Sequence, residues 1–239
     1  GLFLEPSPNE TNNGNQQYSE FALPPVLSIN SGIFQNTLSL TIFNANGANS
    51  EVRYTTDGSD PTVNSTLFNG VPIQIFQNTI IKARCFKTGL LPSEIRSGSY
   101  LLGINHTTPI LSLITDIDNL YGPNGNFTNF NNDWLKSVHV QYFDETPQHN
   151  LLFSQASGMI QDGGAGGSRS HPQHSFRLEL DHGTVGGNTV NYPIIPNKSE
   201  RNLYSKMYFR NGSNQFQILP HKDAMQVEMM CAPTNNYHS

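Results

Sequence analysis

The chain has 239 residues, a formal charge of −5 and only 13% charged side chains, with 36% hydrophobic and 10% aromatic residues. No cluster of Lys and Arg interrupts that acidic balance, which excludes nucleic acid as a partner, because phosphate binding needs a basic patch. No apolar run approaches the roughly 18 residues of a membrane span, and the length allows one large domain or two small ones.

Residues 1–23 read as a tail or as the end of a preceding domain. Pro6, Pro8 and the Asn12-Asn13-Gly14-Asn15-Gln16-Gln17 run break regular structure. Gly1-Leu2-Phe3-Leu4 is too short for a signal peptide and lacks a basic start. A mature or excised piece is therefore expected. The low charge and abundant Asn suit an extracellular or cell-surface protein. Asn-x-Ser/Thr triplets stand at Asn9, Asn64, Asn105, Asn126, Asn197 and Asn211, about as many as chance supplies in so Asn-rich a chain.

Residues 24–102 read as a β-sandwich. Strands are expected near 26–29, 37–43, 51–56, 71–76, 79–86 and 94–101, with a turn signal every eight to twelve residues. In the turn Asp57-Gly58-Ser59-Asp60-Pro61, Gly tolerates positive φ and Pro biases Asp60 away from helix, so both carboxylates read as turn-formers. Farther on, Ile81, Ala83 and Cys85 alternate with Lys82 and Arg84, as in a half-buried strand.

Residues 103–108 read as a linker and 109–239 as a second, α+β unit. Strands are expected near 110–114, 138–142, 149–153, 157–161, 174–180 and 204–210, with an Asn/Gly loop around 121–133. The convincing helix covers 221–231, where Ala224, Val227, Met230 and Cys231 recur at helical spacing after Pro220. Cys85 and Cys231 fall in different units and read as two buried free thiols, and no Cys/His framework for zinc exists.

Two resemblances refine these readings. The segment 52–100, with its Tyr54-Thr55-Thr56-Asp57-Gly58-Ser59-Asp60-Pro61-Thr62 core, its Lys82-Ala83 strand and its closing Pro92-Ser93 and Tyr100, resembles the Ig-like sandwich at the C-terminus of chitobiases and β-hexosaminidases. Such modules imply an accessory part of a secreted, multidomain bacterial protein. The second unit resembles the opening part of the CotH spore-coat kinase family. Carrying that resemblance are Pro109-Ile110-Leu111-Ser112-Leu113-Ile114-Thr115-Asp116, Gly163-Gly164-Ala165-Gly166-Gly167-Ser168-Arg169, Pro172-Gln173-His174-Ser175-Phe176-Arg177-Leu178 and Phe209-Arg210-Asn211-Gly212-Ser213-Asn214. It implies a kinase-like fold and phosphoryl transfer from ATP with bound metal. The metal ligands and catalytic carboxylate belong to a later lobe, which is expected to lie beyond this chain. ATP and Mg²⁺ are thus implied for a longer parent, and no cofactor for this chain.

What these residues could supply is a roof over a nucleotide. Gly163, Gly164, Gly166, Gly167 and Ser168 could cradle phosphate through backbone N–H groups, with Arg169, His174 and Arg177 as phosphate partners. The bland reading of the glycine run is a hairpin tip; its spacing fits neither the dinucleotide fingerprint nor a Walker loop. Where the CotH family places Lys, this chain has His174, and where it often has Asp, Gln215 stands nearby. A neutral imidazole is a poor substitute for a fixed cation.

Other candidates read as structural. His171 and His174, three apart on a strand, point to opposite faces and lack a carboxylate pair for a metal. Asp116, Asp118 and Asn119 do not match a calcium loop and read as solvated turn residues. Trp134 could stack on a sugar but reads as core. Three functions compete: a non-catalytic fragment comprising an Ig-like spacer and the first lobe of a CotH-like domain, the nucleotide-binding half of an active Ser/Thr kinase, and a carbohydrate-binding accessory module. The expected partners are other domains of a parent and protein or polysaccharide at the cell surface. The first reading is preferred and the kinase is the runner-up.

Overall fold

The computed structural model describes residues 2–3, 17–105, 107–163, 169–170, 172, 174–180, 190–194 and 200–210. These residues are β-rich and form several sheets. Two compact units divide them: residues up to 116 together with 139–156, and residues 117–138 together with those from 157 onward.

The first unit contains β1 (Val26–Leu27), β2 (Gly32–Phe34), β3 (Leu38–Leu40), β4 (Ile42–Phe43), β5 (Ser50–Thr55), β6 (Thr66–Leu67), β7 (Ile73–Ile75), β8 (Thr79–Lys87), β9 (Arg96–Leu102) and β10 (Ile110–Ile114). Its main sheet runs β2-β9-β8-β5-β6, with β3-β7 and β1-β4 as separate pairs. β8 is the centre, antiparallel to β5 and β9, with Val52 opposite Cys85 and Ile81 opposite Gly98. Alternation sets its buried face. Ile81, Ala83 and Cys85 are fully buried, and they meet Leu40, Ile75 and Tyr100 in one cluster and Ala22, Ile42 and Val52 in another. Truncating Ile81 to Ala would cost about 2–5 kcal/mol. Cys85 is a free thiol. Tyr100 satisfies its buried hydroxyl by donating to the Ile29 carbonyl at 2.7 Å.

The other face of this sheet is covered as well at its Lys82 end, which the alternation of Lys82 and Arg84 did not suggest. β10 pairs antiparallel with the 139–143 part of β11 (Lys136–Phe143), Ile110 opposite Phe143 and Ile114 opposite His139. Ser99 meets Ser112 at 2.7 Å, and Gln141 donates to the Ser31 hydroxyl at 2.9 Å. These contacts group 103–116 with the residues before it, so the division into compact units does not fall at 103–108. Lys82, only 9% exposed along its side chain, keeps its charge partnered by Asp60 at 2.8 Å.

The turn before Pro61 is built as its residues dictate. Asp57 accepts from the Ser59 backbone N–H and hydroxyl. Gly58 sits at φ +85°, and a Cβ there would lie 2.2 Å from the Thr115 carbonyl oxygen. Only glycine meets both conditions.

In the second unit, β12 (Leu151–Asp162) pairs through its 159–162 end with β13 (Phe176–Glu179), which pairs with β16 (Lys206–Phe209). β14 (Val190–Asn191) pairs with β15 (Leu203–Tyr204). Two expected strands, 149–153 and 157–161, form the single β12, because a lone Gly158 without a proline does not end an extended run. Ile160, Leu178, Leu180 and Val138 form the buried apolar residues here, and Phe176 stacks on Phe209. One short helix, α1 (Asp118–Tyr121), leads into the 121–133 loop and is the only α-helix among the described residues. The expected helix 221–231, with Cys231, lies outside them. No helix among the described residues is long and apolar enough to cross a membrane.

Candidate functional site

The sequence-predicted site falls at the end of β12 and the start of β13, in the second unit. Gly163 follows Asp162 and donates its N–H to the Ser175 carbonyl at 2.8 Å. A Cβ on Gly163 would stand 3.0 Å from the Phe176 nitrogen, so a side chain there would press on the start of β13. Gly164, Gly166, Gly167, Ser168 and His171 lie outside the described residues.

His174 is brought to Asp162. Its Nδ1 lies 3.7 Å from the Asp162 Oδ1, an ion-pair distance but too long for a hydrogen bond. The Asp162 side chain has 0% exposure, and both its oxygens and His174 Nδ1 lack a hydrogen-bond partner. Such groups are uncommon in folded proteins, where buried polar atoms are nearly always paired. Phe127 stacks on the imidazole with centroids 4.2 Å apart and planes within 5°. Loss of solvation pushes the Asp162 carboxyl up to about 6 and the nearby Asp133 charge adds to it. Attraction from Arg169 and the Gly163 N–H oppose the shift. Burial also lowers the His174 pKa. At neutral pH His174 is therefore neutral and presents no cation.

The two arginines are held elsewhere. Arg169 donates to Asp133 at 2.8 Å and to the Phe130 carbonyl at 3.1 Å. Arg177 lies 2.8 Å from Glu179, which also meets Lys206 at 3.2 Å. Arg177 sits between Gln161 and Tyr208 in the sheet, whereas Asp162 is opposite Phe176. Strand alternation thus sends Arg177 away from the side of Asp162. Gly163, Arg169, His174 and Asp162 form one neighbourhood, and Arg177 belongs to another.

Asp162, Asp133 and Phe127 are absent from the sequence reading of this site. The signal for Asp162 is parity: it shares a face with the buried Ile160, which places a carboxylate where the pattern demands an apolar residue. Nothing local marks Phe127 or Asp133, which arrive from the 121–133 loop. That loop is anchored by Asn126, 0% exposed, which donates to the Ile160 carbonyl at 2.9 Å. Its glycosylation triplet is closed to modification in the folded protein. Trp134, expected in the core, is 37% exposed with the Lys136 ammonium 5.3 Å above its ring. Half-exposure beside a cation suits an indole at a strand entrance. Asp118 opens α1, and its carbonyl accepts from the Gly122 N–H.

Residues 40–100 match the family described as Fn3 associated. No curated protein matches the chain. The matched span covers the first unit from the end of β3 almost to the end of β9. The match likens that sheet to a fibronectin III-associated, Ig-like type of domain and does not reach the second unit.

Proposed function

We propose that the chain is a non-catalytic accessory part of a large secreted or surface bacterial protein. Residues 24–102 serve as an Ig-like spacer, and 109–239 supply the first lobe of a CotH-like domain. The observation that carries this reading is how the cations are used. Arg169 and Arg177 each bind a carboxylate at 2.8 Å, and His174 is buried beside Asp162 and neutral. Phosphoryl transfer depends on positioned positive charge around the phosphates, and these side chains are committed to structural pairs.

The runner-up, the nucleotide-binding half of an active protein kinase with ATP and Mg²⁺, is favoured by one fact. Gly163, Arg169 and His174 cluster at a single strand end. Calorimetry with ATP and Mg²⁺, with a phosphate-release assay, separates the two. The spacer reading expects no turnover and no change in ATP binding when His174→Lys is made, since a lysine there meets the Asp162 carboxylate first. Metal-dependent phosphate release by the wild-type chain, or ATP binding strengthened by His174→Lys, would establish the kinase reading instead.

A further inference from the structure

On the first unit's main sheet, two arginines stand directly opposite each other, Arg53 on β5 and Arg84 on β8. Like charges in that position repel, and each needs an acid. Arg53 has one: Glu51 grips it through two bonds of 2.9 Å. Arg84 has none among the described residues. Its Nε donates to the Ser93 carbonyl at 2.7 Å, which fixes the guanidinium plane and leaves the terminal nitrogens without a hydrogen-bond partner among the described residues. Asp60, whose charge Arg84 feels, is bonded to Lys82. Arg84 lines a trough of about 1000 Å³, together with Phe86 two residues along the same face, Pro61, Val63, Leu90 and Pro92.

We propose that this trough binds an extended peptide through one acidic side chain seated on Arg84, with apolar neighbours of that residue lying against Phe86, Val63 and Leu90. A pre-oriented guanidinium with two unengaged terminal nitrogens matches a carboxylate in a two-point bond. Several of the trough's other polar groups are engaged already, and its one acid, Glu51, is held by Arg53, which favours a peptide over a glycan. Ser50 donates to the Gly47 carbonyl, Lys87 to the Asn46 carbonyl, and Thr62 shares its hydroxyl with Ser65. A glycan would need a fan of unengaged donors and acceptors, whereas Pro61, Val63, Phe86, Leu90 and Pro92 give much of the wall an apolar surface.

The test is an NMR titration of the isotope-labelled 239-residue chain with a tripeptide Leu-Glu-Phe blocked at both ends, its only carboxylate being the glutamate. Leu-Gln-Phe and polygalacturonate are the comparison ligands. Saturable shifts confined to 61–63 and 84–92 are expected for the glutamate peptide, about tenfold weaker for the glutamine peptide and for Arg84→Gln, and weaker in higher salt. Val63→Glu changes a side chain 57% exposed and leaves the core intact. It should also weaken binding, by repelling the carboxylate. Equal binding of both peptides, indifference to Val63→Glu, or no saturable shift would overturn the proposal. Binding of polygalacturonate without the peptide would overturn the peptide as occupant.

Discussion

Each unit buries a histidine among polar groups, and the two surroundings behave oppositely. In the first, His139 Nε2 and the Ser154 hydroxyl meet at 2.6 Å, and Gln141 donates to Ser154 and Ser31. Hydroxyls dominate, and a hydroxyl rotates to donate or accept as its neighbours require. The layer therefore tolerates burial with neutral groups, and desolvation, with the Lys82 charge, holds the His139 pKa down at about 4. In the second, His174 faces a carboxylate that no hydroxyl or amide bonds. The His139 layer is not fully satisfied either, since His139 Nδ1 and Gln141 Oε1 have no hydrogen-bond partner, but its unpaired atoms are neutral. A buried acid with unbonded oxygens is a standing cost to the folded state.

The contrast can be broken most forcefully through His139. Its folded pKa lies below its ordinary value of 6.5, so it contributes stability above pH 6.5 that is lost as pH falls toward 4. The full loss is about 3 kcal/mol at 1.36 kcal/mol per unit. Denaturant unfolding at pH 7.5 and pH 4 should show that loss in the wild type and a markedly smaller one in His139→Gln. Equal losses would mean the layer does not exclude charge.

Asp162 has the opposite sign. Its folded pKa lies above its ordinary value of 3.8, so stability is lost as pH rises from about 4 to about 6. Asp162→Asn should therefore stabilise the protein at pH 7.5 by up to about 3 kcal/mol at 1.36 kcal/mol per unit and change little at pH 4. Destabilisation at pH 7.5 would show that the carboxylate is satisfied in solution. The smallest effect sharpens the description of the hydroxyl layer. Ser99→Ala removes the 2.7 Å contact with Ser112 and should cost about 1–2 kcal/mol in the same assay, because it leaves a partly buried hydroxyl unpaired. No measurable change would mean that water replaces the lost partner.

Strands were the readable part of the sequence. Expectations at 79–86 and 110–114 agree with β8 and β10, because five or more alternating or apolar residues bounded by turn signals carry enough pattern to place a strand. β2 and β6, three and two residues long, carry no period and escaped. The two-sided burial of β8 was also hidden, since a lysine in a strand signals solvent unless its partner is known, and Asp60 is 22 residues away. For the candidate site, the sequence reading grouped Gly163, Arg169, His174 and Arg177, and the structure brings the first three together but not Arg177. It could not anticipate the ring that covers His174 or the acids that hold the arginines, because those contacts close over long separations.

Gly58 pressed beneath the Thr115 carbonyl has a consequence for how this module can travel between proteins. The segment matched at 40–100 ends before Ser112, Thr115, His139 and Gln141. A recombination breakpoint at residue 102 would transplant a sheet with Lys82 and Ser99 facing outward and Gly58 facing empty space. The chimera would inherit a glycine whose flexibility nothing restrains and hydroxyls with no counterpart. A heritable cassette must carry β10 and the strands beside it, or the recipient must supply a surface of small hydroxylated residues in the same register.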